Sequence, residues 1–253
     1  MNLVLLTRDS LQSRYMAQKL HAEHGLKAVV FEEAPSRVRM AIRHIRRNHW
    51  WRLFMSVCDI VFLYTMGRRL AHSLHSMLGP KARGGELPAD LPCYVFQSAN
   101  RPECVAALKE LEPEVIMVFG TRILKEEVLN VPKHMILNIH AGIVPEYRGL
   151  ACSYWALSNG DFDKLGVTVL YVLPGVDNGP VALQETLDCH EGVTLAEVNY
   201  EMQILAAELA AQAVQLIKDN RLPKTPQRKM GVRSWGRPGW ADWRQRRNRF
   251  KIR

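Results

Sequence analysis

The chain has 253 residues, 47% hydrophobic and 23% charged, with a formal net charge of +9. That is a soluble composition, long enough to bury a sizeable core. The charge excludes a uniformly basic surface: 13 Lys/Arg and 2 Asp/Glu lie from Ile217 onward, leaving 21 of the 34 basic and 23 of the 25 acidic side chains to the first 216 residues. The body is close to neutral, and the basicity belongs to the tail.

In chain order, "MNLVLLTRDS" lacks the basic start and long apolar run of a signal peptide and reads as a first strand, 3–6. An amphipathic helix is expected from Ser10 to His24, then a strand over 27–31. Six arginines and no acids occupy 37–52, a solvated helix face or a surface for phosphates. The most apolar window, 53–66, holds Asp59 and is bounded by Arg52 and Arg68. It is too short and too charged to span a bilayer, so it is expected to be a buried helix or strand, with a membrane-surface segment the alternative. "HSLHSM" at 72–77 puts two histidines on one helix face but gathers no carboxylates. Residues 79–92 read as a loop.

"CYVF" (93–96), a helix from Pro102 to Leu111 and "EVIMVF" (114–119) continue the alternation, followed by strands at 134–140, 166–172 and 179–187. Short β-rich runs alternating with helices argue for an α/β, Rossmann-like fold: a mostly parallel twisted sheet with helices on both faces. "MILNI" lacks period-two alternation, as a strand covered on both faces should. "TLAE" at 194–197 is a capping box that opens a helix over 195–218. The expected division is a catalytic domain over 1–220 and a basic, aromatic tail over 221–253 with no clear periodicity.

Five cysteines (Cys58, Cys93, Cys104, Cys152, Cys189) show no CxxC pair; an odd number without an export signal points to reduced thiols and a cytoplasmic protein. No His/Cys cluster has zinc spacing, so no metal is expected. The phosphate loops GxxxxGK[ST] and GxGxxG and the nucleophile elbow GxSxG are absent.

What remains is "ILNIHAGIVPEYRGL" (136–150). In a strand, Asn138 and His140 point to one face. The amide and the imidazole then meet at a strand's carboxyl end, where such sheets bind ligands. Pro145 and Gly149 mark the turn that follows. Asp177 lies 37 residues after His140, in the Gly-rich turn "LPGVDNGPV". A lone His at a strand end is most often structural, and an Asp in such a turn is most often a turn former; together they suggest an oriented imidazole.

With "GVDNGPV" downstream, this stretch resembles the signature of the tetrahydrofolate-dependent formyltransferase family, over roughly 93–190. The family includes enzymes acting on methionyl-tRNA, glycinamide ribonucleotide and amino sugars. The resemblance implies 10-formyltetrahydrofolate as donor and Asn138, His140 and Asp177 as catalytic residues. Asn138 would donate to the oxyanion, His140 would donate as imidazolium or relay a proton, and Asp177 would orient His140 and favour its charged form. The donor would lie along Phe119, Gly120, Arg122, Ile123 and Leu124 and against Leu173, Gly175 and Val176, largely through backbone contacts. The family often reads Pro-Ser-Leu-Leu-Pro after the His, where this chain has Ala141-Gly142-Ile143-Val144-Pro145. The start also lacks the Gly/Ser-rich loop of the glycinamide ribonucleotide enzymes.

The expected acceptor is a small-molecule amine, such as a nucleotide-linked amino sugar. Only 35 residues follow Lys218, too few for the β-barrel that methionyl-tRNA enzymes carry. Trp235, Trp240, Trp243 and Phe250 among arginines still offer a way to stack on RNA. The plainer expectation is a tail that is solvated or packs its tryptophans on the domain. A non-catalytic anion-binding relative is the third alternative.

Overall fold

The computed structural model describes residues 1–34, 53–228 and 234–246. The basic run 37–52 and Phe250 lie outside these residues. Among the described residues seven strands form one sheet: β1 (Leu3–Arg8), β2 (Ala28–Glu32), β3 (Cys93–Phe96), β4 (Val115–Phe119), β5 (Met135–His140), β6 (Gly166–Tyr171) and β7 (Val181–Thr186). Their order is β3-β2-β1-β4-β5-β6-β7. Neighbouring pairs from β3 through β5 are parallel; β6 runs antiparallel to β5, and β7 antiparallel to β6. The order reverses between β1 and β4, the switch point beyond whose carboxyl ends α/β sheets hold ligands.

The helices are α1 (Leu11–His24), α2 (Leu53–Leu78), α3 (Pro102–Glu110), the short α4 (Glu126–Leu129), α5 (Cys152–Asn159), α6 (Leu195–Lys218) and α7 (Trp240–Arg246). Ser10 caps α1 in a reciprocal box with Ser13, and Gly25 closes it in the left-handed region at φ 73°. The "TLAE" box forms as well: Thr194 Oγ1 accepts from Glu197 N at 3.2 Å, and Glu197 Oε2 accepts from Thr194 N at 2.8 Å. The Thr194 hydroxyl, which donates to Glu197 Oε2 at 2.7 Å, and then the Thr194 N–H hold the Glu197 carboxyl below its usual range.

Two cores flank the sheet. Leu137 and Ile139 of β5 enter the larger one, with Leu3, Leu5, Met117, Val167 and the inner face of α6. Ile136 joins Val4, Leu6, Val30 and Ile116 on the other face, with Leu108 of α3. Burial on both faces explains the missing alternation in "MILNI". Asn138 and His140 continue the row of Ile136 to the end of the strand.

Three elements differ from the reading of the chain. The apolar window opens a 26-residue helix, α2, because its pattern runs on through "GRRLAHSLHSML". Among the described residues no helix is long and apolar enough to cross a membrane. The 79–92 loop contains a 3-10 turn, Arg83–Gly85. The tail contains α7, too short to give a period, which packs on α2: the Trp243 and Phe62 rings lie 5.6 Å apart, and Asp59 Oδ1 accepts from Trp240 N at 2.7 Å.

Candidate active site

β5 carries Asn138 and His140 to the carboxyl edge of the sheet, with Asn138 opposite Val118 of β4 and His140 the last strand residue. The turn between β6 and β7 brings Asp177 back onto them. Asp177 sits in the left-handed region at φ 46°, a conformation that Asp tolerates better than most side chains. Its Oδ1 accepts from Asn138 Nδ2 at 3.0 Å, and its Oδ2 accepts from Gly149 N at 3.0 Å and faces His140 Nδ1 at 3.5 Å. The other ring nitrogen, Nε2, lies 2.7 Å from Tyr147 O. His140 is only 7% exposed, and both ring nitrogens face acceptors.

The turn 141–150 folds tightly around the ring. A Cβ on Gly142 would lie 2.6 Å from Tyr147 O and 2.8 Å from both His140 Nε2 and Cys152 Cβ, so backbone and ring close up only with glycine there. Gly149 has φ 99°, which leaves its N–H aimed at Asp177. Thr168 Oγ1 donates to Gly142 O at 2.7 Å, and Gln184 Nε2 donates to Val144 O at 3.0 Å. Cys152 Sγ stands 3.7 Å from His140 Nε2, but burial and the nearby Asp177 charge push its thiol up to about 12. It is a protonated packing group at neutral pH, unsuited to nucleophilic chemistry.

The sequence-predicted donor-site residues lie on two loops. Phe119 ends β4, and Gly120 turns the chain at φ 67°. Arg122 is committed to holding its own loop. Its Nη1 donates to Glu32 Oε1 and to Gln97 O, both at 2.8 Å, its Nη2 to Glu33 O at 3.0 Å, and its backbone N to Glu32 Oε2 at 3.0 Å. Glu32 is fully buried at the end of β2 and takes Ala99 N at 3.1 Å as well. Leu124 packs into the smaller core, whereas Ile123 is 68% exposed. On the second loop Leu173 is 48% and Val176 39% exposed, beside Gly175 in the left-handed region.

Reading the chain missed the groups that hold the three side chains: Tyr147 O, Gly149 N and Cys152, together with Thr168 and Gln184 behind the turn. Tyr147 and Gly149 act through backbone atoms, which no residue type betrays. Among the described residues no group of three or more His, Cys, Asp and Glu side chains is gathered as a metal would require.

The family profile described as Formyl transferase matches residues 53–214. A methionyl-tRNA formyltransferase from Clostridioides difficile is 32% identical over 160 residues, 58% of this chain and 51% of that one. The chain thus spans about half the length of such curated relatives. Among solved structures, phosphoribosylglycinamide formyltransferase from Anaplasma phagocytophilum superposes with a TM-score of 0.60 at 16% identity, covering 92% of this chain and 96% of that one. The formyltransferase PseJ from Anoxybacillus kamchatkensis, in complex with UDP-4,6-dideoxy-4-formamido-L-AltNAc and tetrahydrofolate, superposes at 0.52 with 15% identity over 96% of this chain and 89% of that one. The solved structures share the fold, and the matched region contains β3 to β7 with Asn138, His140 and Asp177; the chain belongs to the formyl transferase family.

Proposed function

We propose that this chain transfers the formyl group of 10-formyltetrahydrofolate to a primary amine of a small acceptor, with its catalytic side chains on the domain over residues 1–220. The observation that carries the reading is the Asp177 carboxylate, held by Asn138 and Gly149 and facing His140 from a separate turn.

The acceptor nitrogen attacks the formyl carbon and the carbonyl π pair moves onto oxygen; the pair then re-forms the carbonyl as the bond from the formyl carbon to N10 breaks, its electrons going to N10. Asn138 Nδ2 has two hydrogens; one goes to Asp177 and the other is left for the developing oxyanion. His140 and Asp177 form the proton path: the proton lost by the amine passes through this pair, with water, to N10 of the leaving tetrahydrofolate. The 3.5 Å gap between His140 Nδ1 and Asp177 is of the kind that tightens when substrate binds. The donor's ring system lies against Ile123, Leu173 and Val176, and Arg122 acts by fixing the first of these loops to Glu32.

The test is incubation with formyl-labelled donor and a panel of amines that includes UDP-linked amino sugars. His140→Gln is expected to lower kcat about 10²- to 10⁴-fold, the range of general acid–base catalysis. Asn138→Ala is expected to lower it ~10²- to 10³-fold through the lost oxyanion donor. Transfer that survives both substitutions contradicts the assignment.

The likeness to methionyl-tRNA formyltransferases supports a second reading, transfer to an aminoacyl-tRNA. It requires tRNA binding that weakens steeply as salt rises from 50 to 200 mM, about 10³-fold or more for several phosphate contacts. Salt-independent binding, or none, rejects it. Trp235 and Trp243 already pack against Trp155 and Phe62, which takes two of the tail's aromatics away from base stacking.

A further inference from the structure

We infer that the tail is built into the catalytic site, and that Trp235 and Gln227 are positioning residues for His140 and Asp177. The inference rests on the proposed role of those two side chains. The tail first pairs with the start of β7: Val181 N donates to Thr225 O at 2.8 Å, and Thr225 N to Val181 O at 2.9 Å. Two residues on, Gln227 Nε2 donates to Asp177 O at 3.0 Å and to Gly179 O at 2.6 Å. Among the described residues its Oε1 is buried without a hydrogen-bond partner. The opposite amide orientation would set oxygen against two carbonyls, so the group gives up one hydrogen bond and keeps the two that fix the Asp177 turn.

Trp235 holds the other half of the site. Its N donates to Arg148 O at 2.8 Å, its O accepts from Leu150 N at 2.9 Å, and its Nε1 donates to Glu146 O at 3.0 Å. Its ring lies between Tyr147, at 5.8 Å and 11°, and Trp155, at 4.8 Å and 25°. Trp155 Nε1 donates to Gly236 O at 2.8 Å, closing the clamp. The clamped segment, 146–150, supplies both Tyr147 O to His140 and Gly149 N to Asp177. The contacts of Gln227 and Trp235 therefore fall on the two turns that hold the proposed catalytic side chains. A merely adhesive tail would have no reason to converge on the two turns that hold them.

The test reads the His140 ring nitrogens by ¹⁵N–¹H NMR of the full chain, with its signals identified by their loss in His140→Gln. Trp235→Ala and Gln227→Ala are expected to move these signals and to lower kcat by roughly 10- to 100-fold, as small misplacements of a catalytic group do. Donor KM should stay within about twofold of wild type, since Trp235 and Gln227 act on positioning rather than on donor contacts. Trp235→Phe keeps the stack and loses only the bond to Glu146 O, so it should restore most of both readouts. Trp243→Phe, at the α2 end of the tail, should change neither. Wild-type His140 signals in Trp235→Phe, Trp235→Ala and Gln227→Ala alike, with only melting temperature lowered, would overturn the inference. If Trp235→Ala fails to fold, Gln227→Ala decides it, overturning it if the His140 signals keep their wild-type positions. Formyl transfer that persists in His140→Gln would instead remove the catalytic reading beneath it, a result the NMR comparison cannot produce.

Discussion

Cys152 shows how closely the side chains near His140 are specified. Its thiol is buried against the ring, and its pKa is raised from 9.0 to about 12. A raised acid pKa means that the folded state holds the proton more tightly than the unfolded one. The stabilisation is therefore complete below about pH 9 and is lost as pH rises from there toward about 12. Denaturant titrations of wild type and Cys152→Ala should accordingly differ by a constant up to about pH 9, with the gap shrinking above it. The native thiol should resist alkylation at pH 7.5, whereas Cys93, exposed on β3, should react first among the described thiols. Asn138, His140 and Asp177 were legible in the chain because their chemistry lies in side chains at a recognisable spacing. Tyr147 and Gly149 were not, because they act through a carbonyl and an N–H that any residue would supply.

At the scale of elements, the fold is organised so that loops at one edge of the sheet are fixed from far along the chain. Arg122 and Glu32 are the strongest case: one side chain closes β2, the other ends the β4 loop, and 90 positions separate them. The chain suggests a donor contact for Arg122, and the loop sequence alone gives no sign of the buried Glu32 carboxylate that it pairs with. Arg122→Ala leaves Glu32 buried without its counter-charge and should destabilise the protein by about 2–4 kcal/mol, somewhat less than a fully enclosed pair because Arg122 is partly exposed. Arg122→Lys should recover little of this, since an ammonium cannot reproduce the fork that bonds Glu32 and two carbonyls. Both effects are read as shifts in urea midpoint at unchanged m-value. The capping box at Thr194 and the strand pattern of β5, by contrast, were readable because their causes are local.

For the whole molecule, the question is what a basic, tryptophan-rich tail is for. Composition could not decide it: a stacking platform for RNA and a strap packed on the domain use the same residue types. The difference lies in long-range partners, and here Trp235 has Tyr147 and Trp155, and Trp243 has Phe62. Removal of residues from 221 onward is therefore expected to lower melting temperature and formyl transfer together, and not merely to weaken nucleic-acid binding. Thermal melts of the shortened chain check the first expectation, and labelled-donor turnover the second. The central claim, that Asn138, His140 and Asp177 form one formyl-transfer site, is tested most directly by single-turnover transfer from labelled 10-formyltetrahydrofolate to a panel of amines, comparing wild type with Asp177→Asn. The account requires a formylated amine from wild type and a rate lower by about 10²-fold or more in the variant, whose side chain no longer offers a carboxylate to His140. Equal rates in the two proteins, or no product from wild type with any amine or aminoacyl-tRNA, would contradict it.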